Sequence, residues 1–105
     1  MRQKKKPTTV RLTPDNHDYC EMHGTAATID LATHLLHYKC YKAGLQAFPG
    51  LTIPKQATRQ GTRTQIRLLP EVWDYCTLNS IPKSVFVNYA ISDLIAHNHG
   101  HTNNQ

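Results

Sequence analysis

The sequence lacks the features that mark membrane, secreted and disulfide-rich proteins. No apolar run approaches the roughly 18 residues that cross a bilayer. No apolar stretch follows the basic start, so a secretory signal is not expected. The three cysteines form no even framework, which indicates a reducing environment. These absences predict a cytoplasmic protein with no membrane partner.

Residue patterns for catalysis and for metal binding are also missing. We find no nucleophile–base pair, phosphate-cradling glycine loop or paired carboxylates, so neither an enzyme nor a small-molecule substrate is expected. His34 and His37 share a helical face, and His97, His99 and His101 alternate. Neither Cys-x-x-Cys nor His-Glu-x-x-His spacing accompanies these histidines. We therefore predict no metal and no cofactor.

Acidic residues are absent from two long segments of the chain. The net charge is +5, and all seven acids lie within residues 15–30 and 71–93. Eleven of the twelve Lys and Arg residues lie within 1–13 and 39–68, which contain no acid. This segregation predicts one positive face, as in proteins that bind polyanions. A membrane surface is the weaker candidate, because no basic amphipathic helix accompanies the charge.

The chain contains an internal repeat with a period of 56 residues. Residues 9–20 read "TVRLTPDNHDYC" and residues 65–76 read "QIRLLPEVWDYC", with six identities in twelve positions. Such self-similarity indicates duplication of one supersecondary unit. Because 105 residues suffice for one domain, the two units are expected to share a core.

Each unit has the pattern of a strand followed by two helices. Residues 8–13 and 64–69 alternate with period two, which predicts strands. Pro14 and Pro70, each followed by an acid, predict first helices over 15–23 and 71–79, ended by Gly24 and Ser80. Thr25 is a plausible N-cap for the next helix of the first unit. The apolar positions of the second helices are Ile29, Leu31, Ala32, Leu35, Leu36 and Tyr38, and Val87, Ala90, Ile91, Leu94 and Ile95.

These elements predict a mainly α fold with one two-stranded antiparallel ribbon formed within the chain. A lone strand cannot satisfy its backbone hydrogen bonds, so two copies are needed. The expected organisation is a basic arm at 1–8, unit one at 9–40, a connector at 41–62, unit two at 63–96 and a polar, disordered tail at 97–105. Cys20 and Cys76 occupy equivalent positions and are expected to pack in the core; a redox disulfide between them is the minor alternative.

The residues quoted above resemble the ribbon-helix-helix family, the fold of Arc-, MetJ- and CopG-type DNA-binding proteins. The resemblance rests on "VRLTP" and "IRLLP", strands ending in proline, and on "NSIPKSVFVNYAISDLI", which is similar to the family's second helix. It covers residues 9–39 and 63–96. Most members pair two chains, whereas this sequence resembles the rarer tandem, TraY-like form with both units in one chain. The first helices are about one turn shorter than is usual in the family.

The resemblance implies a ribbon that reads the DNA major groove and helix ends that hold phosphates. Because the two strands differ, one chain would prefer an asymmetric element. The implied base-reading residues are Thr9, Arg11, Thr13, Gln65, Arg67 and Leu69. The implied phosphate-binding residues are Lys4, Lys5, Lys6, Thr25, Thr28, Ser80, Lys83 and Ser84. The plainer alternatives are that Arg11 and Arg67 are ordinary exposed strand residues and that the lysine run only solubilises the chain.

The sequence therefore predicts a sequence-specific binder of double-stranded DNA in the cytoplasm of a bacterial or mobile-element host. A transcriptional repressor or autoregulator is the leading role, and a plasmid relaxosome or partition accessory factor is the alternative; further copies could associate on DNA. An antitoxin that also binds its operator belongs to another class, but "AHNHGHTNNQ" lacks the apolar tail that would wrap a toxin. A pure oligomerisation module would not need the segregated charge.

Overall fold

The computed structural model describes residues 5–43 and 61–103, and side chains as far as residue 97. The elements within these ranges are β1 (Lys6–Leu12), α1 (Pro14–His23), α2 (Thr25–Ala43), β2 (Thr62–Leu68), α3 (Pro70–Leu78) and α4 (Lys83–Asn103). The predicted class, mainly helical with a two-stranded antiparallel sheet, is confirmed. Most of the predicted connector, and Lys4 in the predicted arm, lie outside the described residues.

The two strands pair with each other inside the chain, as predicted. Thr9 lies opposite Gln65, and these two residues are also equivalent in the 56-residue repeat. Each strand begins two residues earlier than predicted and ends one residue earlier. The early end follows from Thr13 and Leu69, which are already the N-cap residues of α1 and α3.

Alternate residues of the ribbon point into the core, as the period-two pattern predicted. Val10, Leu12, Ile66 and Leu68 are all buried. They lie in one cluster with the buried side chains of all four helices, such as Phe86 of α4. The ribbon is therefore covered on one face only, and its other face is exposed.

The first helices end at the predicted residues, by two different turns. Gly24 adopts a φ of 90°, which a side chain would disfavour, and α2 begins at the next residue. At the end of α3, Ser80 has a φ of 55°. There the Ser80 N–H donates to Thr77 O (3.3 Å) and the Ile81 N–H to Cys76 O (2.9 Å). This pair of bonds is the Schellman arrangement.

The longer second turn changes the spacing of the repeat. Pro14 and Pro70 are 56 residues apart, whereas the starts of α2 and α4, Thr25 and Lys83, are 58 apart. The buried positions of the two helices follow this longer spacing. They include the equivalent pairs Ile29 and Val87, Ala32 and Ala90, and Leu36 and Leu94. The second helices therefore match each other only after two residues are allowed for in the second turn.

The prediction for the apolar face of α2 was partly wrong. Ile29, Ala32 and Leu36 are buried, but Leu31, Leu35 and Tyr38 are exposed. The helix is apolar on more than one side, so periodicity alone did not select the buried side. In α4 the prediction did better, because four of its five predicted positions are buried.

The end of α4 differs from the predicted disordered tail. The helix continues to Asn103, seven residues beyond the predicted end of the second unit. Polar composition argued for disorder, yet it does not prevent a helix from continuing past its last buried turn. Among the described residues, no helix is long and apolar enough to cross a membrane.

All three cysteines are free and buried, as expected for core residues. Burial raises the pKa of the Cys20 thiol. It also raises the pKa of Cys76 to about 11, although nearby Lys83 acts in the opposite direction. Both thiols are therefore held in the protonated form, which is the less reactive one.

Candidate nucleic-acid interface

The outward face of the ribbon presents three residues from each strand. Strand β1 contributes Pro7, Thr9 and Arg11, and strand β2 contributes Arg63, Gln65 and Arg67; all six are exposed. They lie in three opposed pairs: Pro7 with Arg67, Thr9 with Gln65, and Arg11 with Arg63. Neither strand contains an acidic residue. The face is therefore a row of cationic and hydrogen-bonding groups on a regular backbone.

Two of the predicted base-reading residues lie beyond the strands. The Thr13 N–H donates to Asn88 Oδ1 at 3.0 Å, and Thr13 is half-buried at the start of α1. Leu69 packs against the hydrophobic core at the start of α3. The chain turns into a helix at both positions, so strand alternation no longer sets the direction of these side chains.

Arg63 is on the exposed face although the sequence pattern did not assign it. The predicted strand began at residue 64, one position too late to include it. Extending the alternation of Arg67 and Gln65 by one more step would have found Arg63. Its position opposite Arg11 follows only from the register.

A buried asparagine network holds the end of β1 against α4. Asn88 is fully buried. Its Nδ2 donates to Arg11 O and to Ser84 O, both at 2.8 Å. Its Oδ1 accepts from the Thr13 N–H and from Asn16 Nδ2, both at 3.0 Å. The amide is satisfied on both sides, so the backbone at Arg11 has a defined position.

The predicted phosphate-binding residues at the helix starts have different surroundings. Thr25 is half-buried at the first position of α2, while Thr28 is only 4% exposed and its side chain cannot be a surface contact. Ser80 is exposed in the turn before α4. Lys83 begins α4, and Ser84 is half-buried. The surface at these two helix starts therefore comprises Thr25, Ser80, Lys83 and Ser84, without Thr28.

The described lysines of the predicted arm are attached to the fold. Lys5 Nζ lies 2.5 Å from Asp30 Oδ2. Lys6 belongs to β1, and its Nζ lies 5.5 Å from the centre of the Trp73 ring. Lys83 Nζ lies 4.2 Å from the same ring centre, within the range of a cation–π contact. Trp73 thus brings two positive charges together beside the start of α4.

An open groove of about 960 Å³ separates one end of the ribbon from the start of α2. Its lining includes Pro7, Thr9 and Arg67 from the ribbon side and Thr25 from the helix. The groove connects the exposed ribbon face with the free N–H groups at the helix start, which attract anions.

The described part of the chain contains no group of three His, Cys, Asp or Glu residues placed to hold a metal ion. The His37 ring instead packs edge-on against Tyr75, with ring centres 5.3 Å apart. Of the alternating histidines near the end of α4, His99 and His101 have side chains outside the described set.

Comparison of the chain with family models, curated proteins and solved structures gives no match.

Proposed function

We propose that this chain is a sequence-specific binder of double-stranded DNA with a tandem ribbon-helix-helix fold. One chain supplies both strand-helix-helix units, and the ribbon enters the major groove with its exposed face toward the bases. The role we infer is that of a cytoplasmic transcriptional repressor or autoregulator.

The strand register is the observation that carries this proposal. The register is centred on Thr9 and Gln65, two equivalent positions of the repeat, so the two units meet about an approximate two-fold axis. The exposed face at this centre carries three arginines, a glutamine and a threonine without any acid. A two-stranded ribbon is narrow enough to enter the major groove.

The chemistry of the exposed face suits base edges. Arginine can donate two hydrogen bonds to guanine O6 and N7, and glutamine can bond to adenine N6 and N7. Threonine offers a hydroxyl and a methyl group that can contact thymine. Arg11, Arg67 and Gln65 are therefore the proposed reading residues, with Thr9 beside them.

Phosphate contacts would come from the surface around the ribbon. Lys6 and Lys83, gathered on Trp73, and Thr25 at the start of α2 are the groups available there. Contacts of this kind add affinity for any sequence and position the ribbon, whereas base contacts discriminate.

The proposal is tested by selecting bound duplexes from a randomised DNA pool and comparing Arg11→Ala and Arg67→Ala with the parent chain. Each substitution should reduce affinity for the selected duplex by about 1–3 kcal/mol and change affinity for a scrambled duplex little. Lys6→Ala is the matched control, because it should weaken both duplexes alike. An unchanged specific-to-scrambled ratio in folded Arg11→Ala and Arg67→Ala proteins would show that the ribbon is not the reading surface.

A further inference from the structure

The two ends of the exposed ribbon face carry different numbers of charges. On one side of the central Thr9–Gln65 pair, Arg11 lies opposite Arg63. On the other side, Arg67 lies opposite Pro7. Arg63 and Pro7 are equivalent positions of the 56-residue repeat, so the difference is a divergence between the two units.

We propose that the ribbon binds its DNA site in one orientation, with Arg63 as a specificity-determining residue beside Arg11. This inference rests on the proposed function. The Arg11–Arg63 end contacts guanines on two neighbouring base pairs, and the Arg67 end contacts one. The preferred site is therefore rich in G·C pairs at one end, and its order cannot be reversed.

The opposed arginines form an arrangement that folding alone would not favour. Directly opposed residues of an antiparallel pair have Cβ atoms about 4.5–5.5 Å apart, and like charges there are destabilising. The strands themselves supply no carboxylate to offset Arg11 and Arg63. Guanine O6 and N7 in the major groove offer acceptors for both guanidinium groups.

The same end of the ribbon is also the one fixed by Asn88. Its Nδ2 donates to the Arg11 carbonyl oxygen at 2.8 Å from a fully buried position. The residue 58 positions earlier, at the corresponding place in α2, is Asp30, which accepts from Lys5 instead. The backbone that carries Arg11 is thus held by α4, which reduces the freedom that base contacts would otherwise have to restrict.

Selection of bound sequences with position-specific readout tests this orientation. The parent chain should recover an asymmetric site, with the guanine-rich end on one side only. Arg63→Ala should remove the guanine preference at the same end as Arg11→Ala, while Arg67→Ala should remove it at the opposite end. On the selected duplex, Arg63→Ala should reduce affinity about 10- to 100-fold.

Two further variants separate base reading from general attraction. Arg63→Lys keeps the charge but loses the two-pronged geometry, so it should retain the salt dependence and lose the guanine preference. Lys42→Ala is the matched charge-loss control, because Lys42 is exposed near the far end of α2 and should change neither.

The outcomes distinguish this inference from the proposed function. If the parent chain selects no sequence, the proposed function itself fails. If it selects a site but Arg63→Ala and Arg63→Lys leave every guanine preference intact, the function stands and the orientation proposal is overturned. A palindromic selected site, or an equal loss on selected and scrambled duplexes, would overturn it as well.

Discussion

At the residue scale, most of the exposed face follows from strand alternation, whereas its buried support does not. The pattern around Arg11 and Arg67 predicted which side of each strand faces outward, because a period of two leaves only two faces. Asn88 could not be recognised in the same way. Its role depends on contacts with Asn16 and Thr13, more than 70 residues away. No local pattern in a sequence encodes such a meeting.

Replacing Asn88 should destabilise the fold strongly for its size. In Asn88→Ala, the buried Asn16 amide and the Thr13 N–H lose their shared acceptor, and the Arg11 carbonyl loses a donor. Each buried polar group left without a partner costs about 1–3 kcal/mol, so we expect a total loss of about 2–4 kcal/mol. Urea denaturation followed by circular dichroism measures this change.

Ser92→Ala is the graded control for Asn88→Ala. Ser92 Oγ makes only one bond to the network, at 3.3 Å to Asn16 Oδ1, and the residue is exposed. Its loss should cost less than about 1 kcal/mol. Equal stability of Asn88→Ala and Ser92→Ala would contradict the central role of Asn88.

At the element scale, the helix boundaries were predictable where a residue type limits the backbone. Pro14 and Pro70 mark the starts of α1 and α3, and Gly24 marks the end of α1, because each limits the backbone angles available. The length of the turn after α3 was not predictable. The 56-residue repeat does not reveal the two extra residues, so the expected match between Thr25–Thr28 and Ser80–Ser84 was displaced.

The turn after α3 gives a prediction of increased stability. Ser80 has a φ of 55° at the position of the Schellman turn where glycine is usual. Ser80→Gly should therefore stabilise the protein by up to about 1 kcal/mol, because glycine adopts this conformation without a steric penalty. The thermal midpoint of the variant should rise by a few degrees.

The converse change at Gly24 is the matched comparison. A Cβ at Gly24 would meet nothing within 4 Å, so Gly24→Ala tests the backbone angle without a packing clash. With a φ of 90°, it should lower stability by about 1 kcal/mol or more. A Ser80→Gly protein that is less stable than the parent would show that the serine makes a compensating interaction.

At the scale of the whole molecule, the two halves share one core. Leu36 of α2 lies in the same buried cluster as Phe86 and Ile91 of α4, and the cluster is closed by both strands. An exposed ion pair between Lys39 and Asp93 also joins α2 to α4, but exposed pairs of this kind contribute little stability. Apolar burial between the halves should therefore make them unfold together.

The single tryptophan allows this shared unfolding to be measured from one half only. Trp73 lies in α3, in the second unit, whereas circular dichroism reports helices of both units. Leu36→Ala in the first unit removes a side chain that is 1% exposed, and should cost about 2–5 kcal/mol. Its denaturation midpoint should fall equally by Trp73 fluorescence and by circular dichroism. Leu31→Ala on the same helix, where the side chain is 50% exposed, should move neither midpoint much. If the Trp73 transition stays at the parent midpoint while circular dichroism shifts, the halves fold separately and one core does not hold both strands of the ribbon.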